Sequence, residues 1–568
     1  MASIYDKASL VMIPSGTKTS KIFSQKPVSG DGDFTFSRST AATRVNEGGA
    51  IEKETQNLLL QSNTFDTTWR TANSSVTSGQ TGYDGTSNAW LLNGSGAFAR
   101  LIGDVSVSGV FTISIHAKAN TTNYLDINML FNGVGKNVIF DLVNGVKTDE
   151  DTPPVASKMT NVGNDWWRIE LTLNGTLGSL SIGMSTDGTI GGFINFTSGS
   201  FYIQDAQLEQ GLVARDVITT TTSAVEGGIT DNVPRLDYTD SSCPALLLEP
   251  QRTNINPYSE YFGTFWNGLG NETITSNYGI SPEGLSNATR FQATSAGRGG
   301  MYASIAVNNG TTYTLSFYAK SLSGTQKLRV GADNGCVNPQ GAETFEVTTE
   351  WQKFTKTITS TQGGWNIFFD NVESGSGCTG TYLNCDMLVY GYQVEAGSYA
   401  TSYIPTYGTS VTRNQDNSII ADTGDIIADA KGSFFIDINV DFLDTNGLIP
   451  ITAGSGTAAL YYLWLQTGRV IRSEWYNGGG LQSAIATSGG YFDIGDRLKI
   501  AAAYQNNDFV MYVNGTLIGT DTSGNAPSPT SLRIGQYNAS TYSGGAINEF
   551  IAFPTRLSNE ELATLTTI

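Results

Sequence analysis

Apolar and polar residues alternate along most of the chain in short runs, which clusters of Gly, Asn, Ser and Thr separate. From Phe434 to Phe442, every second side chain is apolar. A period of two places the apolar side chains on one face of a β-strand. Asn144-Gly145 and Asn514-Gly515 lie between such runs and favour tight hairpins, because both residue types adopt positive φ. The pattern predicts an all-β protein made of sandwiches rather than βαβ units.

One helix is predicted, close to residue 568. Ser558-Asn-Glu-Glu561 has the pattern of a capping box, in which the Ser558 hydroxyl accepts from the Glu561 amide and the Glu561 side chain reaches back. The helix is short, so packing against a sheet must hold it.

Part of the chain is an internal duplication. Three stretches of a first copy recur in the same order in a second: Asn57–Trp69 with Asn254–Trp266, Phe111–Lys118 with Tyr313–Lys320, and Gln207–Gly211 with Gln393–Gly397. Ordered matches of this kind indicate two modules of one type. The predicted organisation is an N-terminal docking segment (1–54), a first module (55–215), a connector (216–249), a second module (250–413), a linker (414–430) and a third β-module (431–568).

Composition narrows the possible partners. The 568 residues include 51 acidic and 32 basic side chains, for a net charge of −19. Binding to nucleic acid or to anionic membranes needs clustered cations, so neither partner is expected. No stretch approaches the roughly 20 apolar residues of a membrane helix, so membrane insertion is not expected either. The N-terminus lacks the pattern of a signal peptide, which predicts that the protein is made in the cytoplasm and stays soluble.

The chain has one histidine, which limits nucleophilic catalysis to arrangements around His116. Alternation places His116 on the face opposite Phe111, Ile113 and Ile115, so we predict a sheet-surface residue rather than a catalytic base.

Four cysteines are too few for a disulfide framework in a chain of this length. Free thiols are predicted. If the finished protein leaves the cell, Cys336 is expected to be able to oxidise with Cys378 or Cys385.

The two repeated modules resemble jelly-roll carbohydrate-binding modules of families 4 and 9. The resemblance rests on the Phe-x-x-x-Trp segment near each start, the Thr-apolar-Ser-apolar-x-Ala-Lys strand, a strand opened by Trp167 or Trp351, and the closing Gln-x-Glu-x-Gly. It implies β-sandwiches that bind glycans. It also implies a structural calcium ion in the first module, near the last-strand carboxylate of Asp205; the second module has Gly391 at that place.

The third module resembles laminin G and concanavalin A-like sandwiches. Arg497–Tyr504 followed by Phe509–Gly515 matches the paired strands that end in a Tyr-Val-Asn-Gly hairpin, and Leu532–Gly535 and Leu557–Leu562 match the closing strand and helix. Glucanases of that type carry closely spaced carboxylates on one strand. Here Asp437, Asn439 and Asp441 alternate without a glutamate nearby in sequence, so no enzyme is predicted.

Aromatic side chains are the candidate sugar-binding groups, because their faces stack on sugar rings. Alternation places Tyr462 and Trp464 on one face, opposite Tyr461. The other candidates are Trp475 and Tyr476, which precede a Gly-rich loop, and Trp365 in a Gly-Gly-Trp-Asn loop. Four further tryptophans fall on the repeat signatures and are assigned to module cores: Trp69, Trp167, Trp266 and Trp351.

The layout as a whole resembles bacteriophage virion proteins. The segments that carry this resemblance are Phe34–Arg44 with Thr55–Leu60, and Pro234–Tyr238 with Leu247–Asn254. It implies a non-enzymatic protein of the head or tail surface, located in the virion and anchored through its N-terminal part. Its partners would be other virion structural proteins and host surface glycans. By analogy with phage fibres it would form a homo-oligomer such as a trimer. Two alternatives stay open: decoration without glycan binding, and a polysaccharide-degrading glycosidase.

Overall fold

The computed structural model describes residues 4–568 except 334–339, 375–379, 428–429, 444–446, 455–458, 539–540 and 543. Strands dominate it, which confirms the all-β prediction. Cys243 is exposed and Cys385 is buried, and both are free thiols. The predicted oxidation of Cys336 with Cys378 or Cys385 cannot be placed, because Cys336 lies outside the described residues.

The strands before the first module are β1 (Leu10–Met12), β2 (Thr17–Lys18), β3 (Lys21–Ile22), β4 (Phe34–Ser37), β5 (Arg44–Val45), β6 (Ile51–Glu52) and β7 (Thr55–Asn57). Those of the first module are β8 (Arg70–Ala72), β9 (Ser74–Gln80), β10 (Ala89–Gly94), β11 (Arg100–Ala119), β12 (Tyr124–Phe131), β13 (Val134–Asp141), β14 (Val146–Glu150), β15 (Ala156–Gly163), β16 (Trp166–Ser185) and β17 (Gly199–Gln210).

The connector and second module contain β18 (Val225–Gly227), β19 (Arg235–Asp237), β20 (Ala245–Leu248), β21 (Arg252–Asn254), β22 (Asn267–Gly268), β23 (Glu272–Gly279), β24 (Ala288–Ala293), β25 (Gly300–Ala306), β26 (Thr312–Ser321), β27 (Gln326–Asp333), β28 (Gln340–Val347), β29 (Gln352–Thr359), β30 (Gly364–Asp370), β31 (Val372–Ser374), β32 (Thr381–Tyr382), β33 (Cys385–Ala396) and β34 (Val411–Arg413).

The remaining elements are β35 (Asn417–Ile420), β36 (Lys431–Asn439), β37 (Leu448–Gly454), β38 (Ala459–Gln466), β39 (Val470–Asn477), β40 (Gly480–Ala486), β41 (Arg497–Gln505), β42 (Asp508–Val513), β43 (Thr516–Asp521), β44 (Leu532–Ile534), β45 (Gln536–Asn538), β46 (Thr541–Tyr542), β47 (Gly545–Phe553) and helix α1 (Asn559–Leu565). Short 3₁₀ helices lie at Ile4–Lys7, Ile190–Phe193 and Gly424–Ile426.

The first module is one ten-stranded antiparallel sheet whose halves enclose a single core. Strands β11 and β16 are twenty residues long and pair along most of their length. Phe111, Ile113 and Ile115 are buried in this core, as their alternation predicted.

In the second module, the strands form two separate five-stranded sheets, β22-β25-β30-β27-β28 and β23-β24-β33-β26-β29. Both modules have a β-bulge at the same place. It lies between Ser114 and His116 where β11 meets β17, and between Ser316 and Tyr318 where β26 meets β33. Trp69 and Trp266 are buried in the cores of their modules, as predicted.

The C-terminal sandwich recruits strands from far outside residues 431–568. Strand β1 pairs with β47, β4 pairs with β35, and β20 of the connector also pairs with β47. Leu10, Phe34 and Leu246 are accordingly buried in the core of this sandwich. Residues from the predicted docking segment and connector are therefore structural parts of the last sandwich.

Helix α1 has the predicted capping box. The Ser558 hydroxyl accepts from the Glu561 amide at 3.2 Å, and the Glu561 carboxylate accepts from the Ser558 amide at 2.9 Å. Leu562 is fully buried against the outer face of the sheet that contains β41 and β42. The packing of Leu562 supplies the support that so short a helix needs.

A buried ionic cluster, here called the arginine hub, joins the N-terminal segment, the connector and the linker. It consists of Arg38, Arg235, Arg413, Glu249 and Asp416. Arg38 lies 2.9 Å from Asp416, Arg235 lies 2.6 Å from Glu249 and contacts Asp416, and Arg413 lies 2.8 Å from Glu249. All five side chains are at least 96% shielded from solvent. Three of the five, Arg38, Arg235 and Glu249, lie in the segments that resemble virion proteins, so those segments act as structural joints.

Candidate carbohydrate-binding surfaces

Four aromatic side chains cluster on the outer face of the C-terminal sandwich, and we call them the Tyr462 patch: Tyr462 and Trp464 on β38, Tyr476 on β39 and Tyr537 on β45. All four are half-buried. The Tyr462 ring centroid lies 6.1 Å from that of Tyr476, 6.5 Å from that of Trp464 and 5.4 Å from that of Tyr537. The prediction that Tyr462 and Trp464 share a face opposite Tyr461 is confirmed, since Tyr461 is buried in the core.

Glu474 holds the patch together from below. Its side chain is 95% buried and accepts from both Tyr462 and Tyr476, the latter at 2.9 Å, while Arg472 pairs with its other oxygen. Burial and the contact with Glu474 raise the pKa of both tyrosines, so the rings stay neutral. The hydroxyl groups of Tyr462 and Tyr476 donate to Glu474, and the faces of the two rings are left to form a platform.

Two predicted sugar-binding residues are in cores instead. Trp475 is fully buried, because β39 turns it toward the opposite layer while its neighbours Glu474 and Tyr476 face outward. Trp365 is 2% exposed and packs against Tyr313, with ring centroids 5.4 Å apart. Neither indole offers a face to a ligand, so both assignments were wrong.

Arg472, Glu474 and Tyr537 were not predicted from the sequence. A signal for two of them existed, because Arg472, Glu474 and Tyr476 alternate on one strand and must share a face. Tyr537 belongs to a strand more than 60 residues away, and only the folded sheet brings it to Tyr462.

A second aromatic surface lies on the first module, around His116. The imidazole faces away from the core, as predicted, but it is 96% buried because Tyr83 stacks on it with centroids 3.9 Å apart. The prediction of a surface position was therefore wrong. Burial, and then the charge of Arg168, lower the pKa of His116 to about 4, so it is neutral at pH 7. Trp166, which is 2% exposed, and the half-buried Tyr202 lie beside them, with ring centroids 6.4 Å apart.

In the second module the equivalent face is covered. Tyr318 occupies the place of His116 and pairs across the strands with Tyr390. Ile51 of the N-terminal segment packs against Tyr390 there, and Lys53 reaches Glu260 at 2.6 Å. The face is thus covered in both modules, by Tyr83 in the first and by the N-terminal segment in the second.

The strand register at this face corrects the pairing of Trp351 with Trp167. Lys353 lies opposite Tyr318 as Arg168 lies opposite His116, so Trp351 corresponds to Trp166 rather than to Trp167. Trp351 packs in the cluster around Ile51, outside the module core, and its prediction as a core residue was wrong. Trp167 does pack against its module core, as predicted.

Asp205 has a conformational role at the β-bulge. It has φ 51°, and Gly391 has φ 65° at the same bulge of the second module. Aspartate and glycine both tolerate this left-handed conformation. Asp205 is 93% buried, and its carboxylate accepts a hydrogen bond from the Tyr83 hydroxyl at 3.0 Å. Burial raises the pKa of this carboxylate.

The surroundings of Asp205 do not suit the calcium ion that the family resemblance implied. Calcium requires six to eight oxygen ligands. Among the residues that the structure describes, no group of three or more His, Cys, Asp or Glu side chains could hold a metal ion.

The bulge conformation predicts how substitutions at Asp205 behave. Asp205→Gly should change the unfolding free energy of the first module by less than about 1 kcal/mol, because glycine adopts the same φ. Asp205→Val should cost about 1–3 kcal/mol, because a β-branched residue is strained at positive φ. Chemical denaturation followed by tryptophan fluorescence measures both. Equal losses for the two variants would contradict a conformational role and assign it to the carboxylate.

The tertiary structure places two carboxylates opposite each other on neighbouring strands. Glu549 on β47 lies across from Asp437 on β36, although sequence spacing indicated no glutamate partner. Both Asp437 oxygens accept from Arg497, each at 2.7 Å. Asp437 therefore forms an ion pair with Arg497 and has a second acid, Glu549, beside it.

Within the described ranges, no helix is long and apolar enough to cross a membrane.

Comparisons with known proteins agree with the two kinds of module. Residues 257–369 match the family model described as carbohydrate binding domain, and residues 430–563 match that of the concanavalin A-like lectin/glucanases superfamily. No curated protein sequence matches the chain.

Several solved structures are similar to parts of the chain. A Ruminococcus gnavus sialidase CBM40 bound to α2,3-sialyllactose is 18% identical, with 25% of this chain and 84% of that chain covered and a TM-score of 0.22. The tandem CBM22 domain of a Paenibacillus barcinonensis protein is 14% identical (60% and 98% covered, TM-score 0.19). Domains LG4-5 of the mouse laminin α1 chain are 7% identical (53% and 88% covered, TM-score 0.18). The family matches show that the chain contains a region similar to carbohydrate-binding domains and a C-terminal region similar to concanavalin A-like lectins and glucanases.

Proposed function

We propose that this protein is a non-enzymatic, glycan-binding structural protein displayed on the surface of a bacteriophage particle. The observation that carries the glycan-binding part is the Tyr462 patch, which combines half-exposed aromatic faces with hydrogen-bonding groups held by a buried carboxylate. Aromatic rings of this kind stack on the C–H faces of sugars, and the polar groups at their edges orient the hydroxyls. The match of residues 257–369 to a carbohydrate binding domain supports the same function.

The virion part of the proposal rests on the segments that resemble phage virion proteins. Several of their residues contribute to the arginine hub, which connects the N-terminal segment to the second module and the C-terminal sandwich. A protein that displays binding modules on a particle needs the modules in a constant orientation, and buried ionic joints provide this. In the proposal, the partners are other virion proteins and host surface glycans, and the location is the virion.

The glycan-binding part predicts a specific loss of binding. On an array of bacterial surface polysaccharides, the full chain should bind at least one glycan, and Tyr462→Ala with Trp464→Ala should reduce that binding at least tenfold, since aromatic platforms dominate such contacts. Tyr278→Ala is the matched control, because Tyr278 is a 47% exposed tyrosine in the second module, outside the patch. Unchanged binding by the double variant would refute the patch as the site. No binding to any glycan by the folded chain would favour decoration alone.

The virion part has a separate test. Gold-labelled antibody against the full chain should mark intact particles of the producing phage in electron micrographs. Particles that carry no label, while the lysate contains the protein, would refute the location.

A further inference from the structure

The charge around the Tyr462 patch differs in sign from that of the whole chain. The strands that form and border the patch are β37 to β40, β44 and β45, and their charged residues are Arg472, Glu474 and Arg533. These strands therefore carry a small excess of positive charge, whereas the whole chain has a net charge of −19. Local positive charge favours an anionic ligand at this face of the sandwich.

Arg472 is the cation of the patch that a ligand can reach. It lies directly across from Trp464 on the neighbouring strand β38, and its side chain is 35% exposed. On its other side, β40 presents the small, exposed residues Ala484 and Ala486, so the surface next to the guanidinium is open. A sugar ring that stacks on the aromatic side chains therefore has Arg472 at its edge.

The guanidinium group of Arg472 retains donors for a ligand. It contacts the Glu474 carboxylate through Nε, and its two terminal nitrogens make no hydrogen bond with any residue that the structure describes. The Glu474 carboxylate is out of reach, because it is 95% buried and already accepts from Tyr462, Tyr476 and Arg472. The surface thus offers positively charged donors, while the balancing carboxylate lies beneath the rings.

We propose that the Tyr462 patch recognises a carboxylate-bearing sugar of the uronic acid class, with the carboxylate on the terminal nitrogens of Arg472. The inference rests on the glycan-binding function proposed above and names the class of glycan that the patch takes. Guanidinium and carboxylate groups form paired, charge-assisted hydrogen bonds, which are stronger than hydrogen bonds between neutral groups. A neutral hexose offers no charge to these donors, so the acidic sugar binds more tightly.

The position of Arg472 favours a uronic acid among the carboxylate-bearing sugars. An aromatic face stacks on the C–H face of a sugar ring, so a side chain beside the rings meets the substituents at the ring edge. In a uronic acid the carboxylate is such an edge substituent, at the carbon where a hexose has its hydroxymethyl group. A sialic acid instead has its carboxylate at the linkage carbon, beside the next sugar.

Biolayer interferometry of the full chain at about 0.15 M salt tests the proposal. The uronate probes are polygalacturonate, alginate and hyaluronate, each used before and after chemical reduction of its carboxyl groups. Reduction converts a uronic acid into the neutral hexose and leaves the linkages unchanged. At least one uronate polymer should bind at least about tenfold more tightly than its reduced form. Polysialic acid and dextran sulfate are the comparison polyanions.

Arg472→Gln should weaken binding of the acidic polymer about tenfold and leave binding of the reduced polymer unchanged, because only the acidic form uses the guanidinium. A loss for both forms would show that Arg472 merely supports the rings through Glu474. Arg497→Gln is the matched control and should bind as the parent does. Arg497 is 56% exposed and also pairs with a buried carboxylate, that of Asp437, but it lies in the other sheet of the sandwich.

Five results would overturn the assignment. These are no binding to any uronate polymer, equal binding of acidic and reduced forms, unchanged acidic binding by Arg472→Gln, equal losses of both forms in that variant, and binding of polysialic acid or dextran sulfate as tight as that of the best uronate. If neutral glycans alone bind, and the Tyr462→Ala and Trp464→Ala variant loses them, the proposed function stands and this inference fails. If the folded chain binds no glycan of either kind, both fail.

Discussion

Arg235→Met should destabilise the protein by about 3–5 kcal/mol, the range expected when one member of a buried ion pair is removed. Arg235 is fully buried between Glu249, at 2.6 Å, and Asp416. Methionine fills most of the volume but removes one of the two arginine partners of each carboxylate, so that Glu249 keeps Arg413 and Asp416 keeps Arg38. The expected readout is a lower midpoint of thermal unfolding by calorimetry, in the transition of the C-terminal sandwich.

Arg70→Met is the matched control for this substitution. Arg70 pairs with Asp104 on the surface, where the two side chains are 60% and 70% exposed. Exposed pairs contribute about 0–1 kcal/mol, so this variant should unfold close to the parent. Equal midpoints for the two variants would refute the arginine hub as a stabilising joint.

The hub also predicts acid sensitivity. Burial alone would raise the pKa of Glu249, but Arg413 and Arg235 outweigh it and lower the pKa well below its ordinary value of 4.5. A carboxyl group with a lowered pKa in the folded state stabilises the fold above its unfolded pKa, and this stability is lost as the pH falls. The parent should therefore lose stability below about pH 4.5, and Arg235→Met should lose less over the same range.

Asp126→Asn should stabilise the first module at neutral pH and have little effect near pH 4. Asp126 is fully buried on β12, and neither carboxylate oxygen has a hydrogen-bond partner among the described residues. At the corresponding place of the second module, Arg329 binds Asp370 with two contacts of 2.9 and 2.7 Å. In the first module the residue opposite Asp126 is Gly183, whereas in the second module the residue opposite Arg329 is Asp370.

The stability of the first module depends on pH because the pKa of Asp126 is raised in the folded state. Burial, followed by the charge of Asp151, raises the pKa of Asp126 well above 3.8. The unfolded chain ionises above pH 3.8 while the folded chain keeps the proton, so stability falls as the pH rises between the two pKa values. The slope is at most about 1.4 kcal/mol per pH unit, and the asparagine variant lacks it.

Hydrogen exchange of the β12 amides at pH 4, 6 and 8, corrected for intrinsic rates, measures this difference. Asp66→Asn, an exposed aspartate of the same module, is the control. If the stability gap between the parent and Asp126→Asn were the same at all three pH values, Asp126 would not carry a bound proton in the folded state.

Much of the fold was predictable because its signals are local. Alternation with period two predicted the strands, the opposite faces of Tyr461 and Tyr462, and the buried side of β11 around Ile113. The capping box predicted helix α1 from four residues, since its hydrogen bonds join residues three apart. The Phe-x-x-x-Trp segments located Trp69 and Trp266 in cores because large aromatic residues at repeated positions are usually packing residues.

The predictions that failed concern residues whose burial depends on which face of a strand meets the second sheet or a distant segment. Alternation states that Trp475 and Tyr476 face opposite sides, but it does not state which side meets the second sheet. The same limit applies to Trp365 and Trp351, whose surroundings come from strands or segments far away in sequence. His116 was placed on the correct face, yet Tyr83, which covers it, comes from a separate loop.

The sequence by itself determined the class of fold, the repeated pattern of the two modules and the aromatic face of β38. These properties depend on composition and on short periods along the chain. The tertiary structure alone decided that β1 and β20 complete the last sandwich, that the N-terminal segment packs on the second module, and that Asp240 and Asp441 line one cavity. These outcomes depend on contacts between residues hundreds of positions apart, which are selected by the total area buried and the charges paired on folding, and no short stretch of sequence encodes them.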